Sequence, residues 1–292
     1  MNIWILNHYA GAPDYPSTRH YDLGKELVAK GHSVTIFASG FNYQKFVEER
    51  LGHGEKWKIQ DYDGVRFVWI RTTPYKGNEW RRIINMLSYA WRVIWVGKQL
   101  EERPDVIIGS SVHPFAVFSA YILSKIKNSR FFFEVRDLWP QTLLDMGALS
   151  HQSPITWGLR ILEKFLYNKA EKIITLLPYA DQYITKLGIA KEKIVWIPNG
   201  VDLSRYQGVK EYDGGMSNSF KIMYLGAHGK ANALDVILDT AKMLQDKEMN
   251  NVRFIFVGDG AEKSSLIEYS RNKDLRNVEF RDPVPKNEIF KV

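Results

Sequence analysis

Ile3-Trp4-Ile5-Leu6-Asn7-His8-Tyr9-Ala10-Gly11-Ala12-Pro13 opens the chain with a strand-like run and then a turn-rich loop. The loop extends over His8–Pro16 and leads to a helix that Ser17 is placed to cap, with Leu23 and Leu27 expected to face inward. Gly31 closes this helix, because glycine takes the left-handed conformation after a last turn without a Cβ penalty. Val34–Ala38 is the next strand-like run. Strand, helix and strand in such quick succession form the repeating unit of an α/β sheet.

The same stretch excludes two chemistries. A nicotinamide-binding turn needs G-x-G-x-x-G after the first strand and an acidic residue at the end of the second. Here the first loop offers only Gly11, and the second strand runs into Ala38-Ser39-Gly40. No G-x-x-x-x-G-K-[ST] occurs either, which removes a P-loop NTPase.

Further along, Val65–Ile70, Val106–Gly109, Phe131–Val135, Ile173–Leu176 and Ile194–Ile197 are short runs, several of them apolar on both faces. That is the pattern of a parallel sheet covered by helices on each side. Between Asp202 and Ser219 the alternation stops, and Gly208, Gly214, Gly215, Ser217 and Asn218 mark a linker. It restarts with strands at Lys221–Leu225, Val252–Val257 and Val278–Phe280 and helices at Ala233–Gln245 and Glu262–Lys273. In the first of these helices Leu234, Ile237, Leu238, Ala241 and Leu244 form one apolar stripe. The expected organisation is α/β with two Rossmann-like domains: residues 1–203, a linker at 204–219, and a second domain at 220–292. Three strands do not complete a doubly wound sheet, so the second domain reads as incomplete.

Composition narrows the partners. The 292 residues are 45% hydrophobic and 25% charged, a globular balance with enough length for a sizeable core. The absence of cysteine excludes disulfides and thiolate-held metals and agrees with a reducing cytoplasm. The first apolar run is too short for a signal-peptide core, and no uncharged run has the length of a spanning helix. The expected location is cytoplasmic, at the inner face of the cytoplasmic membrane. A net charge of +7 favours an anionic partner. Nucleic acid ranks last, because no strand motif interleaves basic with aromatic residues.

Trp80–Leu100 is amphipathic at helical spacing, with Trp80, Ile83, Ile84, Leu87, Trp91, Ile94 and Trp95 broadly on one side and Arg81, Arg82, Arg92 and Lys98 among the rest. Two readings stand: a core-facing helix with a solvated basic face, or a basic, Trp-rich helix lying in the headgroup region of an anionic membrane.

Several stretches are placed to carry chemistry. His113 follows the Val106–Gly109 strand, and Glu134, Arg136 and Asp137 leave the next one; strand carboxyl ends in an open α/β sheet face the ligand crevice. A structural ion pair between Arg136 and one carboxylate is the alternative for that trio. Arg136 is suited to a phosphate and Asp137 to a hydroxyl. Gly226–Asn232 joins a strand to a helix, so its backbone N–H groups and the positive helix end suit a phosphate, with Gly226 and Gly229 allowing close approach and Lys230 adding charge. An ordinary strand-to-helix loop is the competing account. Gly258-Asp259-Gly260 repeats the geometry, with Lys263 one turn into the next helix.

The ordered set of motifs resembles glycosyltransferase family 4, retaining enzymes of GT-B fold, and within it the lipopolysaccharide and capsule branch that includes N-acetyl-fucosamine transferases. The resemblance is carried by Asn7–Phe37 with Lys30-Gly31-His32, by Phe133-Glu134-Val135-Arg136-Asp137-Leu138-Trp139-Pro140, and by Ile197-Pro198-Asn199-Gly200-Val201-Asp202. Tyr224-Leu225-Gly226, Asn232 to Asp235, and Val257-Gly258-Asp259-Gly260 complete it. It implies transfer of a sugar from a nucleotide-sugar donor to a lipid-linked saccharide, without a metal or other cofactor. It places His113 and Asp137 at the reacting centre, and Gly11, Glu134, Arg136, Gly226, Gly229, Lys230, Asn232, Gly258, Asp259 and Lys263 around the substrates. Many relatives carry Arg and Lys where this chain has Ala227 and Asn232, which leaves Lys230 as the substitute. The family's pair of glutamates seven residues apart has only Glu288 after the last strand, so the expectation for this chain alone is no turnover and nucleotide binding on the order of millimolar. The rivals are a nucleotide-sugar 2-epimerase of the same fold and a non-catalytic partner-binding module.

Overall fold

The computed structural model describes residues 1–15, 18–77, 80–200, 202–203, 219–284 and 289. The chain divides into two compact units, Met1–Val201 and Asp202–Val292. Ser17, the linker residues 204–218 and Glu288 lie outside the described residues.

The first unit runs β1 (Asn2–Leu6), α1 (Arg19–Ala29), β2 (Ser33–Ser39), the short β3 (Phe41–Asn42) and β4 (Val47–Glu48), β5 (Trp57–Tyr62), β6 (Val65–Ile70) and α2 (Arg81–Gln99). It continues with β7 (Val106–Ser111), α3 (Pro114–Lys127), β8 (Arg130–Val135), α4 (Gln141–Asp145), α5 (Pro154–Lys169), β9 (Lys172–Thr175), α6 (Ala180–Lys186) and β10 (Ile194–Trp196). Its sheet has the order β10-β9-β8-β7-β1-β2-β6-β5, parallel throughout except where β5 pairs antiparallel with β6. From β1 the chain first builds toward β2 and β6, then returns to the other side of β1 to lay down β7 to β10. The order therefore reverses between β1 and β7, and open α/β sheets bind ligands outside the strand carboxyl ends at such a reversal.

Side-chain alternation on β1 divides the interior in two. Ile3 and Ile5 join Tyr21, Val34, Ile36 and Phe67 under α1. Trp4 and Leu6 join Phe37, Tyr89, Val117 and Leu166 under the opposite layer of α2, α3 and α5.

On helix facing, one expectation fails and one open choice is decided. Leu23 is 38% exposed instead of inward. The α1 face is set by Gly24, where an added Cβ would stand 3.1 Å from Val65 Cγ1; this close approach turns Tyr21 and Gly24 inward and Leu23 outward. On α2 the Trp-rich stripe is not core-facing: Trp80, Ile83, Leu87, Trp91 and Trp95 are exposed, and Asn85, Met86, Tyr89, Val93, Val96 and Gly97 are buried. Polar partners choose that face. Asn85 Nδ2 donates to Thr72 Oγ1 at 2.9 Å and Thr73 O at 2.7 Å, and Tyr89 Oη donates to Phe37 O at 2.8 Å.

The second unit holds β11 (Phe220–Leu225), α7 (Leu234–Asp246), β12 (Val252–Val257), α8 (Lys263–Asn272) and β13 (Val278–Arg281), with a parallel β11-β12-β13 sheet. The expected α7 stripe is the buried one: Leu234, Leu238 and Ala241 lie in the core, with Ile237 and Leu244 packed against it.

Candidate active site

Polar residues concentrate at the carboxyl edge of the first sheet. Glu134, at the end of β8, is 3% exposed, and its oxygens meet Arg19 Nε at 3.1 Å and His20 Nε2 at 2.6 Å. Burial alone would raise its pKa; the charge and hydrogen bond of His20, a hydrogen bond from Ser110 and the charge of Arg19 together hold it well below the usual carboxylate range. The alternative reading paired Arg136 with one of these carboxylates; Glu134 instead pairs with Arg19 and His20. Arg19 reaches further, donating from Nη1 to Pro198 O at 2.9 Å and Asn199 Oδ1 at 3.2 Å, and from Nη2 to Ile197 O at 3.2 Å. One guanidinium at the start of α1 therefore ties the β8 end to the turn after β10, which uses its planar fork. Asn7 joins the network through Ser110 Oγ at 2.8 Å.

At the switch point stand two histidines. His8 follows β1 and His113 follows β7; both are fully buried, and His8 Nδ1 lies 2.8 Å from His113 Nε2. His113 also serves as the N-cap of α3, its Nδ1 accepting the Ala116 N–H at 3.2 Å. The His8 ring is stacked between Tyr9 at 4.2 Å and Tyr89 at 4.4 Å. Burial, with the nearby Arg82 cation, depresses His113 to about 3. Burial, His113 and Arg82 hold His8 well below its ordinary value. Both rings are neutral at physiological pH.

Arg136 and Asp137 emerge beyond this buried layer, half-buried and exposed respectively. Partial desolvation raises the Asp137 carboxyl and the Arg136 charge opposes it. Trp139 is half-buried, and Gly11 is buried in the loop after β1.

In the second unit the strand ends are shaped by backbone. A Cβ on Gly258 would stand 1.9 Å from Gly226 O, and one on Gly260 would stand 2.3 Å from His228 O, so only glycine permits these loops to touch. His228 N donates to Asp259 O at 2.9 Å and Glu262 N donates to His228 O at 2.9 Å. The His228 ring is buried between the loops, and neither of its nitrogens has a partner among the described residues. Lys230 and Asn232 bound a 3-10 turn just before α7, both exposed, and Gly229 precedes them. Asp259 is exposed; Lys263 Nζ is held by Asp282 Oδ1 at 2.9 Å and Arg281 O at 3.2 Å.

Among the described residues no three His, Asp or Glu side chains converge in a metal-binding group, and no helix is long and apolar enough to cross a membrane. The structure sets His113 against His8, and Glu134 against Arg19 and His20, three partners that the sequence did not single out. The signal for Arg19 and His20 was weak, since both sit in a helical turn that reads as solvated.

Residues 17–205 match the model of Glycosyltransferase Family 4. The chain belongs to this family. WcaI of Escherichia coli (strain K12), named for glycosyl transfer in colanic acid biosynthesis, is 22% identical over 268 residues, covering 87% of this chain. The chain spans 64% of the length of that relative. Among solved structures, the catalytic domain of starch synthase IV from Arabidopsis thaliana, bound to ADP and acarbose, superposes with a TM-score of 0.67 at 11% identity, covering 100% of this chain and 76% of that one. Anabaena HepE in complex with UDP-glucose gives 0.62 at 15% identity, covering 97% and 69%. These two likenesses establish the fold expected from the motif order.

Proposed function

We propose that this family member transfers a sugar from a nucleotide-sugar to a lipid-linked saccharide acceptor during cell-surface polysaccharide synthesis, with retention at the anomeric carbon. The observation that carries the reading is the neutral, buried His8–His113 pair at the β1/β7 switch point, inside the segment that matches the family. Sugars are uncharged hydrogen-bonding ligands, and a neutral imidazole N–H set in fixed aromatic packing suits them. Asp137 is the group for an acceptor hydroxyl and Arg136 for an acceptor phosphate. In the second unit, Gly226, Gly229, Gly258 and the N-terminal end of α7 suit a diphosphate, with Lys230 and Lys263 contributing charge and Asn232 and Asp259 hydrogen bonds. Fixed N–H groups and cations then stabilise the leaving diphosphate without a metal.

The acceptor's lipid gives meaning to the α2 surface. Trp91 is 74% exposed and Trp157 on α5 is 70% exposed. Helices α2 and α3 carry no acidic residue, and α5 carries one, the buried Glu163. A basic layer whose three helices expose no acidic side chain, and which bears exposed tryptophans, suits the inner, anionic face of a cytoplasmic membrane.

Calorimetric titration with UDP, GDP, their sugars and inorganic phosphate tests the donor reading: a preference for a sugar diphosphate supports it, and binding no better than phosphate overturns it. Co-sedimentation with phosphatidylserine vesicles, released by salt and reduced when Arg81, Arg82 and Arg92 become Gln, supports the membrane reading. Indifference to lipid charge overturns that part alone.

A further inference from the structure

The two switch-point histidines fix one another's protons. The Ala116 amide is a donor only, so His113 Nδ1, at 3.2 Å from it, is an acceptor and carries no hydrogen. A neutral His113 then holds its proton on Nε2, and that N–H points at His8 Nδ1, 2.8 Å away. His8 Nδ1 is thereby also an acceptor, which leaves the His8 proton on Nε2. His8 Nε2 is buried and has no partner among the described residues. The direction of every hydrogen in this row follows from one backbone amide. Both nitrogens of His113 are used inside the protein, and the single donor left over lies on His8.

The placement of that donor is specific. His8 is the second residue beyond β1, beside the strand-order reversal, and its ring cannot turn because Tyr9 and Tyr89 stack on its two faces with interplanar angles of 15° and 7°. Tyr89 is itself anchored to Phe37 O. A native fold seldom keeps a buried donor unmet unless a ligand or water meets it. A neutral N–H of fixed direction selects an oxygen acceptor, and beside the Arg82 charge, which opposes protonation of the ring, the pair stays in this neutral form.

We propose that His8 presents the imidazole N–H that meets a sugar hydroxyl at the switch point, and that His113 is the positioning residue that fixes the His8 tautomer. The ligand class rests on the transferase reading above; the proton order does not. The same hydroxyl chemistry is offered by a nucleotide-linked sugar and by a saccharide acceptor, so UDP-glucose and methyl glucoside serve as separate probes.

Nitrogen-15 labelling of the histidines in the full chain reads the tautomers directly. Without ligand, both rings are expected as Nε2–H with unprotonated Nδ1; an Nδ1–H form of either ring overturns the proposal. With probe added until no further change occurs, the His8 Nε2–H resonance shifts and that of His113 does not, and the probe that acts identifies the source of the hydroxyl. His113→Asn keeps an oxygen to accept the Ala116 amide but removes the donor to His8, so the variant folds while His8 populates both tautomers. His8→Leu binds the active probe about tenfold more weakly, the worth of one hydrogen bond, and His8→Gln, which restores an N–H, recovers most of the loss. An unchanged His8 tautomer in His113→Asn, or equal binding by His8→Leu and His8→Gln, overturns the proposal. A chain that responds to a probe elsewhere while His8 stays unmoved overturns it alone; a chain that responds nowhere removes the transferase reading together with it.

Discussion

The strand ends of the two units solve one problem by opposite means. In the first unit the carboxyl edge is held by desolvated side chains: Glu134 with Arg19 and His20, and His8 with His113. In the second unit it is held by main chain, with Gly258 and Gly260 packed against Gly226 O and His228 O. The first edge gains fixed direction from charges and hydrogen bonds made strong by burial. The second is closed by main-chain hydrogen bonds, Gly226 N donating to Val257 O and Gly258 N to Arg281 O. The difference teaches where each edge is fragile: the first to loss of a charge, the second to gain of a methyl group.

The largest expected effect tests the first half of this contrast. Glu134→Ala leaves Arg19 and His20 at a buried position without their carboxylate, and removing one partner of such a pair costs about 3–5 kcal/mol. The Glu134 carboxyl is held below its ordinary value, so its contribution is present above the unfolded pKa and is lost as pH falls through the folded one. Denaturant unfolding of the variant at neutral pH measures the loss. A change under about 1 kcal/mol would mean that backbone holds this edge too.

A second buried carboxylate sharpens the point with the opposite sign. Glu163 on α5 accepts hydrogen bonds from Tyr167 at 3.2 Å and Tyr183 at 3.0 Å, yet burial outweighs them and pushes it up from 4.5 to about 7. Between those values the folded chain keeps a proton that the unfolded chain has lost, so stability falls as pH rises through this window and levels off above it. The difference amounts to about 3 kcal/mol. Unfolding of wild type and Glu163→Gln at both ends of the window checks this: the slope between them should be absent in the variant.

On the second edge, Gly258→Ala brings a Cβ onto a carbonyl that cannot swing away, at a φ of +147° that side chains avoid. The expected cost is about 2–3 kcal/mol, together with weakened nucleoside diphosphate binding. Gly31→Ala is the control. It has open space around its Cβ and only the positive φ against it, so it should lose about 1–2 kcal/mol, less than Gly258→Ala. Equal losses in the two variants would show that packing between the loops is unimportant.

These contrasts also explain what the sequence disclosed. The parallel strands were legible because several are apolar on both faces, and the order of motifs carried the family. The antiparallel β5 was not read, although Asp63-Gly64, both with positive φ, joins it to β6 as a tight hairpin. The facing of α2 stayed open because apolar residues surround most of that helix, and Asn85 and Tyr89, which decide it, bond to residues distant in the chain. His113 was singled out from its place after a strand. Its partner His8 was quoted only as the start of a loop, since nothing local marks two histidines 105 residues apart as neighbours. The glycines of the second edge were visible as types, but not the carbonyls they approach.

The smallest expected effect completes the comparison. Lys263 and Asp282 form an ion pair at 2.9 Å in the second unit, as short as the Arg19–Glu134 contact, but the Asp282 side chain is 96% exposed. Water already solvates such a carboxylate, so Lys263→Met should cost under about 1 kcal/mol, and added salt should shrink the difference. Proximity is therefore equal in the two pairs and burial alone separates them. If Lys263 serves a diphosphate, the same variant should lose more in nucleotide affinity than in stability, because the ligand brings a second negative group that Asp282 does not replace. A stability loss matching that of Glu134→Ala would place buried charge on both edges, and the division between a side-chain edge and a backbone edge would not survive it.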